Sequence, residues 1–294
     1  MAGQLKEVRN RIKSVQNMQQ ITKAMKMVSA AKLRKAQDSI IQMRPYAKKL
    51  QEVLGNIVSS LEGEVGMELA ETRPVEKVLL IVITSDRGLC GAYNSNLIKL
   101  AKQTIETTYA EQFKNKNVEI WAVGKKGYEH FEKRGYRISA EFRDLLLNVS
   151  FESAQAMAQA AVKAFKEKKF DVVEIVYSEF KNAASQKFKL ERFLPIPTIS
   201  DNANSGKKTD FIFEPEKEVL IAELMPKILN TQLYKAILDA NASEHGARMT
   251  AMDKASENAD EMLRTLRISY NRARQAAITT ELTEIVSGAA ALQG

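Results

Sequence analysis

Ser85-Asp86-Arg87-Gly88-Leu89-Cys90-Gly91 is the stretch of this 294-residue chain that comes nearest to a chemical motif. It holds a hydroxyl, a carboxylate, a guanidinium and the only thiol, and it follows Lys77-Val-Leu-Leu-Ile-Val-Ile-Thr84, which reads as a buried strand. A glycine-bearing turn after such a strand is where nucleotide-binding proteins place a phosphate loop. The glycines here make neither GxGxxG nor GxxxxGK, no acid stands at a ribose position, and Gly124-Lys125-Lys126 is a weaker match still. The stretch therefore reads as a tight strand-to-helix turn without a cofactor. Cys90 has no base nearby, since His130 and His245 both fall on polar helical stretches, so a buried structural thiol is expected. The histidines are too far apart for zinc spacing, and a single cysteine excludes an intrachain disulfide and suits a reducing compartment. No residue is assigned to catalysis, to a cofactor or to a metal.

The remaining candidates for chemistry are binding groups. Ile278-Thr279-x-Glu281-x-x-Glu284-x-x-x-Gly288-Ala289 closes a long helical pattern, and so ordered an end suggests one that fits into something. Charge is uneven as well. Residues 1–50 carry twelve Lys and Arg against Glu7 and Asp38, a balance of +10, so for a total of +8 the rest must come to −2. The partner of the first segment should be acidic: nucleic acid, anionic lipid or an acidic protein surface. Lys23, Lys26, Lys32, Arg34 and Lys35 form either a solvated face or a partner-facing one. Residues 1–45 contain no aromatic side chain, which weakens a nucleic-acid reading. No apolar run approaches the roughly 18 to 20 residues of a membrane span, so a soluble chain is expected, reaching a membrane only through partners.

The elements that must position these groups are long helices. From Leu5 an alternating three-and-four step runs through Val8, Ile12, Val15, Gln19, Thr22, Lys26, Ser29, Leu33, Ala36 and Ile40 to about residue 60, interrupted by Pro45. Gln19, Thr22, Lys26 and Ser29 make this stretch of the seam polar, while Met18, Ile21, Met25 and Val28 put the apolar groups one residue earlier. One residue is about 100° of rotation, so that apolar face turns away from the partner helix. A second register runs from Ile221 past Pro226 through His245, Met249, Met252, Ser256, Ala259 and Leu263 to Glu284. Two heptad helices at opposite ends of a chain predict an antiparallel coiled coil. Between them, strands are predicted at 77–84, 118–123, 172–177, 187–194 and 209–213, with helices at 94–113, 125–134 and 152–168. The fold class is α/β plus a long coiled coil, a Rossmann-like α/β domain inserted between the end helices, divided as residues 1–60, 75–214 and 215–294. Two readings from the residues alone stay open: a nucleotide-dependent α/β enzyme with coiled-coil arms, and a basic coiled-coil nucleic-acid-binding or adaptor protein.

Three segments carry a resemblance. IKSVQNMQQITKAMKMVSAAKLRKAQ near the start, ITSDRGLCGAYN after the first strand and ITTELTEIVSGAAAL at the end resemble, in order and position, the marked segments of the F-type ATP synthase γ subunits. Ala92-Tyr93 departs mildly from the family pattern. The resemblance implies a non-catalytic rotor shaft, whose left-handed coiled coil fills the axis of a ring of three α and three β subunits. Its α/β domain would stand on the c ring beside ε, so that proton flow drives ATP synthesis on β and hydrolysis drives the reverse. It implies α3β3 contacts for Met25, Lys26, Lys32, Arg34, Arg274, Gln275, Thr279, Glu281 and Glu284, the first four near an acidic segment of β. It further implies contacts with ε and the c ring for Arg44, Tyr46, Phe213 and Glu214, beside Pro45. The implied location is the cytoplasmic face of the bacterial inner membrane, held through the complex without lipid insertion. No cysteine insert of the plant type is present, so thiol control is not expected.

Overall fold

The computed structural model describes residues 2–59, 69, 71–183, 185–196 and 217–293. The predicted strand at 209–213 lies outside them. Helix α1 runs Ala2–Ser59 and helix α6 runs Lys217–Gln293, and both stay helical through their internal prolines, Pro45 and Pro226. The chain divides into two compact units, Met1–Ser29 with Met249–Gly294, and Ala30–Arg248.

In the first unit the two end helices pair antiparallel. Arg9 donates to the Tyr270 hydroxyl at 3.0 Å, Gln19 to Asp260, and Lys26 pairs with Asp253, so partners fall in number on α6 as they rise on α1. The heptad reading accounts for what is buried: Thr22 and Ser29 on α1, and Met252, Ser256, Ala259 and Leu263 on α6. Met18, Ile21 and Val28 are 57 to 59% exposed, as the 100° rotation of the apolar face requires. Met25 is the exception on that face and is half-buried.

In the second unit, β1 (Val78–Ile83) leads through α2 (Tyr93–Thr107) and the short α3 (Ala110–Lys114) to β2 (Val118–Val123). Then follow α4 (Lys125–Glu132), β3 (Ile138–Ser139), α5 (Phe151–Lys166), β4 (Val172–Phe180) and β5 (Gln186–Leu194). The sheet order is β3-β2-β1-β4-β5, parallel except for the antiparallel edge strand β5. Alternation explains why β1 is apolar at every position. Val78, Leu80 and Val82 face a layer with Leu97, Ala101, Ile105 and Phe131 from α2 and α4. Leu79, Ile81 and Ile83 face Ala154, Met157, Ala161 and Phe165 of α5 together with Leu229, Leu233, Ile237 and Ala240 of α6. A strand covered on both sides needs apolar groups on both. Residues 224–247 of α6 thus serve as a layer of the α/β unit.

The structure also refines the elements. The helix predicted at 94–113 breaks at Thr108-Tyr109 into α2 and α3, and the two-residue β3 carried no readable strand pattern. Short edge pairing of this kind leaves little periodicity to detect.

Candidate partner-binding surfaces and the turn after the first strand

The turn after β1 directs its polar groups inward. The Ser85 amide donates to Asn94 Oδ1 at 3.0 Å, Asn94 Nδ2 donates to Ser85 Oγ at 2.7 Å, and Ser85 Oγ donates to the Arg87 carbonyl at 2.7 Å. Asn94 Nδ2 also lies 3.3 Å from the sulfur of Cys90, which is 2% exposed, so the thiol is a buried structural group as the sequence predicted. The Arg87 and Gly88 carbonyls accept from Arg248 at 2.8 and 3.3 Å. A phosphate cradle needs amide donors turned outward, and here carbonyls point at a cation instead. The Gly124-Lys125 turn has a similar explanation. Gly124 has φ +96°, and a Cβ on it would stand 2.4 Å from the Thr84 carbonyl oxygen. The glycine is needed for close approach to the end of β1, while Asp86 accepts from the Lys125 amide at 3.1 Å. Among the described residues no group of three or more His, Cys, Asp and Glu could hold a metal ion.

The predicted binding residues instead lie along the helices. Lys32 and Arg34 are exposed, and Lys26, 41% exposed in its side chain, pairs with Asp253 of its own chain. Part of the basic charge of α1 is therefore balanced internally. Arg274, Gln275, Thr279, Glu281 and Glu284 are all exposed, with the Thr279 hydroxyl donating to the Gln275 carbonyl at 2.9 Å. Tyr46 is 52% exposed. Of Arg44 only the helical backbone is described, and Phe213 and Glu214 lie outside the described residues.

Two features escaped the sequence reading. Ile278, Leu282, Ile285 and Val286 are 48 to 67% exposed and form an apolar stripe at i, i+4, i+7 and i+8. Its cause is the pairing itself: with Arg9 opposite Tyr270, α1 begins at Ala2 opposite about residue 277, and α6 continues alone. The i, i+4, i+7, i+8 spacing is legible in the sequence, among small residues that dilute it. The second feature is the pair of Glu244 and Arg248, bonded at 2.5 Å with side chains 11 and 10% exposed. Burial pushes the Glu244 carboxyl above the ordinary range, against the opposing pull of Arg248. Its i, i+4 spacing was visible in the sequence, its burial was not.

A family model described as ATP synthase matches residues 4–292. A protein of Cytophaga hutchinsonii named ATP synthase gamma chain is 52% identical over 290 residues, with 98% of each chain covered. Another of that name, from Chlorobium phaeobacteroides, is 48% identical over 291 residues and 99% of each. Among solved structures, a chain of the Tetrahymena thermophila mitochondrial ATP synthase central stalk and c-ring is 25% identical at a TM-score of 0.58, covering 80% of this chain and 99% of that one. A chain of the Euglena gracilis mitochondrial ATP synthase, solved as OSCP, F1 and c-ring in a rotational state, shares the fold at a TM-score of 0.70 and 22% identity, covering 99% and 95%.

Proposed function

Because this chain belongs to the ATP synthase family, whose relatives above are gamma chains, we propose that it is the central rotor shaft of the synthase. It couples proton flow through a c ring to ATP synthesis and hydrolysis on the β subunits and performs no catalysis itself. Its partners are the α3β3 hexamer, ε and the c ring. The observation that carries this reading is the paired shaft that narrows to a single helix. Thr22 and Ser256 lock two helices together, and beyond about residue 277 α6 continues alone with exposed groups on every side.

Such a tip suits a sleeve. Arg274, Gln275, Thr279, Glu281 and Glu284 meet the ring through polar contacts, and Ile278, Leu282, Ile285 and Val286 give it an apolar bearing surface. Met25, Lys32 and Arg34 lie toward an acidic segment of β, with Lys26 shared between that segment and Asp253. Exposed charges of this kind steer and orient more than they bind. Arg44, Tyr46, Phe213 and Glu214 are assigned to the foot that meets ε and the c ring. Residues 1–60 and 215–294 act as shaft, with 224–247 of α6 also a layer of the domain at 75–214 that stands on the ring. No helix among the described residues is long and apolar enough to cross a membrane, so attachment is through the complex. The side of attachment is the cytoplasmic face of the bacterial inner membrane.

Reconstitution with α and β subunits tests the reading. The chain is expected to restore rapid ATP hydrolysis to an α3β3 hexamer and, in the complete complex in vesicles, ATP-driven proton uptake. A hexamer whose hydrolysis is indifferent to the chain sinks the proposal, and steeply salt-dependent DNA or RNA binding by the chain would favour the nucleic-acid reading instead.

A further inference from the structure

In an open α/β sheet the crevice at the carboxyl ends of the strands, where the order reverses, is the usual ligand site. Here the reversal falls between β1 and β4, and one face of α6 occupies the neighbourhood. Ala240, Ser243, Ala247 and Arg248 recur at i, i+3, i+7 and i+8, a single helical stripe. Each turn of this stripe grips a different part of the layer. The buried Tyr93 hydroxyl of α2 donates to the Ala240 carbonyl at 3.0 Å. Ser243 Oγ, wholly buried, donates to the carbonyl of Ser178 on β4 at 3.1 Å. Arg248, held by Glu244, donates to both carbonyls of the turn after β1. At Gly246 a Cβ would meet Ala183 Cα at 3.2 Å, so the segment after β4 lies close to the helix backbone.

Apolar packing is non-directional and fixes the azimuth of a helix less sharply than hydrogen bonds to particular carbonyls do. A buried ion pair adds little to stability compared with apolar groups of the same volume, and its best-attested use is to specify one arrangement. We propose that Ser243, Glu244 and Arg248, with Tyr93, form a rotational key that locks α6 to the α/β layer, so that torque passes between them without slip. These are positioning residues, and the proposal rests on the rotor reading. The key takes the place of a ligand: the guanidinium of Arg248 meets the turn where a nucleotide-binding protein would present its phosphate loop.

The test uses the complete complex in sealed vesicles, with protons pumped per ATP hydrolysed as the readout, beside hydrolysis by the detached α3β3 assembly carrying the same chain. Glu244→Leu with Arg248→Met removes both charges and keeps the volume. It is expected to lower the pumping ratio at least about threefold while detached hydrolysis stays within about twofold, since apolar packing persists where directional bonds are lost. Arg248→Lys keeps the charge but loses the fork that reaches Glu244 and two carbonyls together, and is expected to lower the ratio in the same direction. It stands in for the double variant should that chain fail to fold. An unchanged ratio in a folded, assembled variant overturns the key, as does a loss of detached hydrolysis in proportion to pumping. A wild-type chain that supports neither activity overturns the rotor reading itself.

Discussion

Thr22 and Ser256 meet hydroxyl to hydroxyl at 2.8 Å inside the seam between α1 and α6, both about 5% exposed. Thr22 also reaches the Gln19 carbonyl at 3.0 Å and Ser256 the Met252 carbonyl at 2.8 Å. Two hydroxyls have two protons for these three contacts, so each donation excludes one of the others. Loss of one partner leaves the other hydroxyl paired only with its own helix. Thr22→Val is therefore expected to destabilise the chain by about 1 to 2 kcal/mol, and the double variant with Ser256→Ala by less than the sum of the singles. Urea unfolding of all four chains gives the coupling, and strict additivity would mean that the pair does not set the register.

The apolar stripe on the solitary end of α6 contributes nothing to the fold of the chain. Leu282→Gln with Ile285→Gln, at positions 57 and 67% exposed, should leave the thermal midpoint of the isolated chain unchanged. Assembly with α3β3 is expected to weaken by about 1 to 3 kcal/mol, because side chains that bury in a sleeve lose their transfer free energy. Arg274→Leu with Gln275→Leu should instead reduce steady-state hydrolysis at matched complex yield. Equal affinity for the ring in all three chains would place the contact elsewhere on the shaft.

Gly124 closes a turn that leaves no room for a side chain. Its φ of +96° and a Cβ position 2.4 Å from the Thr84 carbonyl oxygen combine backbone strain with a clash against main chain. Gly124→Ala is expected to destabilise the chain by about 3 kcal/mol or more. Gly135→Ala, also at positive φ but in open space, should show the backbone part alone, and denaturation midpoints of the two separate the contributions.

His245 lends the chain a pH dependence. Burial first, with the charges of Arg248 and Lys32 adding, lowers its imidazole from 6.5 to about 4. The unfolded chain takes up this proton below about pH 6.5 and the folded chain does so only near pH 4, so stability is complete above the upper value and falls toward the lower. The slope is at most about 1.4 kcal/mol per pH unit. The raised carboxyl of Glu244 acts with the opposite sign, binding its proton in the folded chain first and stabilising it as pH falls. His245→Asn removes one contribution and leaves the other, so its urea midpoint should fall less than that of the wild type between pH 7 and pH 5. Parallel curves would show that the histidine takes up its proton equally in the folded and the unfolded chain.

Whatever recurs along the chain is legible from residue order alone. The heptad steps of Leu5 to Ser29 and Met249 to Ala277 place the seam because a 3.5-residue repeat must keep one face toward its partner. The run at Val78–Ile83 names a doubly covered strand because every position is apolar, and the turn after it excludes a phosphate loop because its glycines are wrongly spaced. Tertiary structure decided what depends on two distant segments meeting. Lys26 stands in the sequence as one member of a basic run, and only the antiparallel register brings Asp253 to it from 227 residues away. Residues 225–240 of α6 carry one stripe for the sheet, at Met225, Leu229, Leu233 and Ile237, beside the heptad positions Ile228, Thr231 and Leu238, and all of these are buried. Periodicity cannot rank two buried stripes on one helix. Glu244 and Arg248 stand at the i, i+4 spacing that many surface pairs share, and only the packing of α6 over the ends of β1 and β4 withdraws water from them and turns Arg248 onto the carbonyls of Arg87 and Gly88.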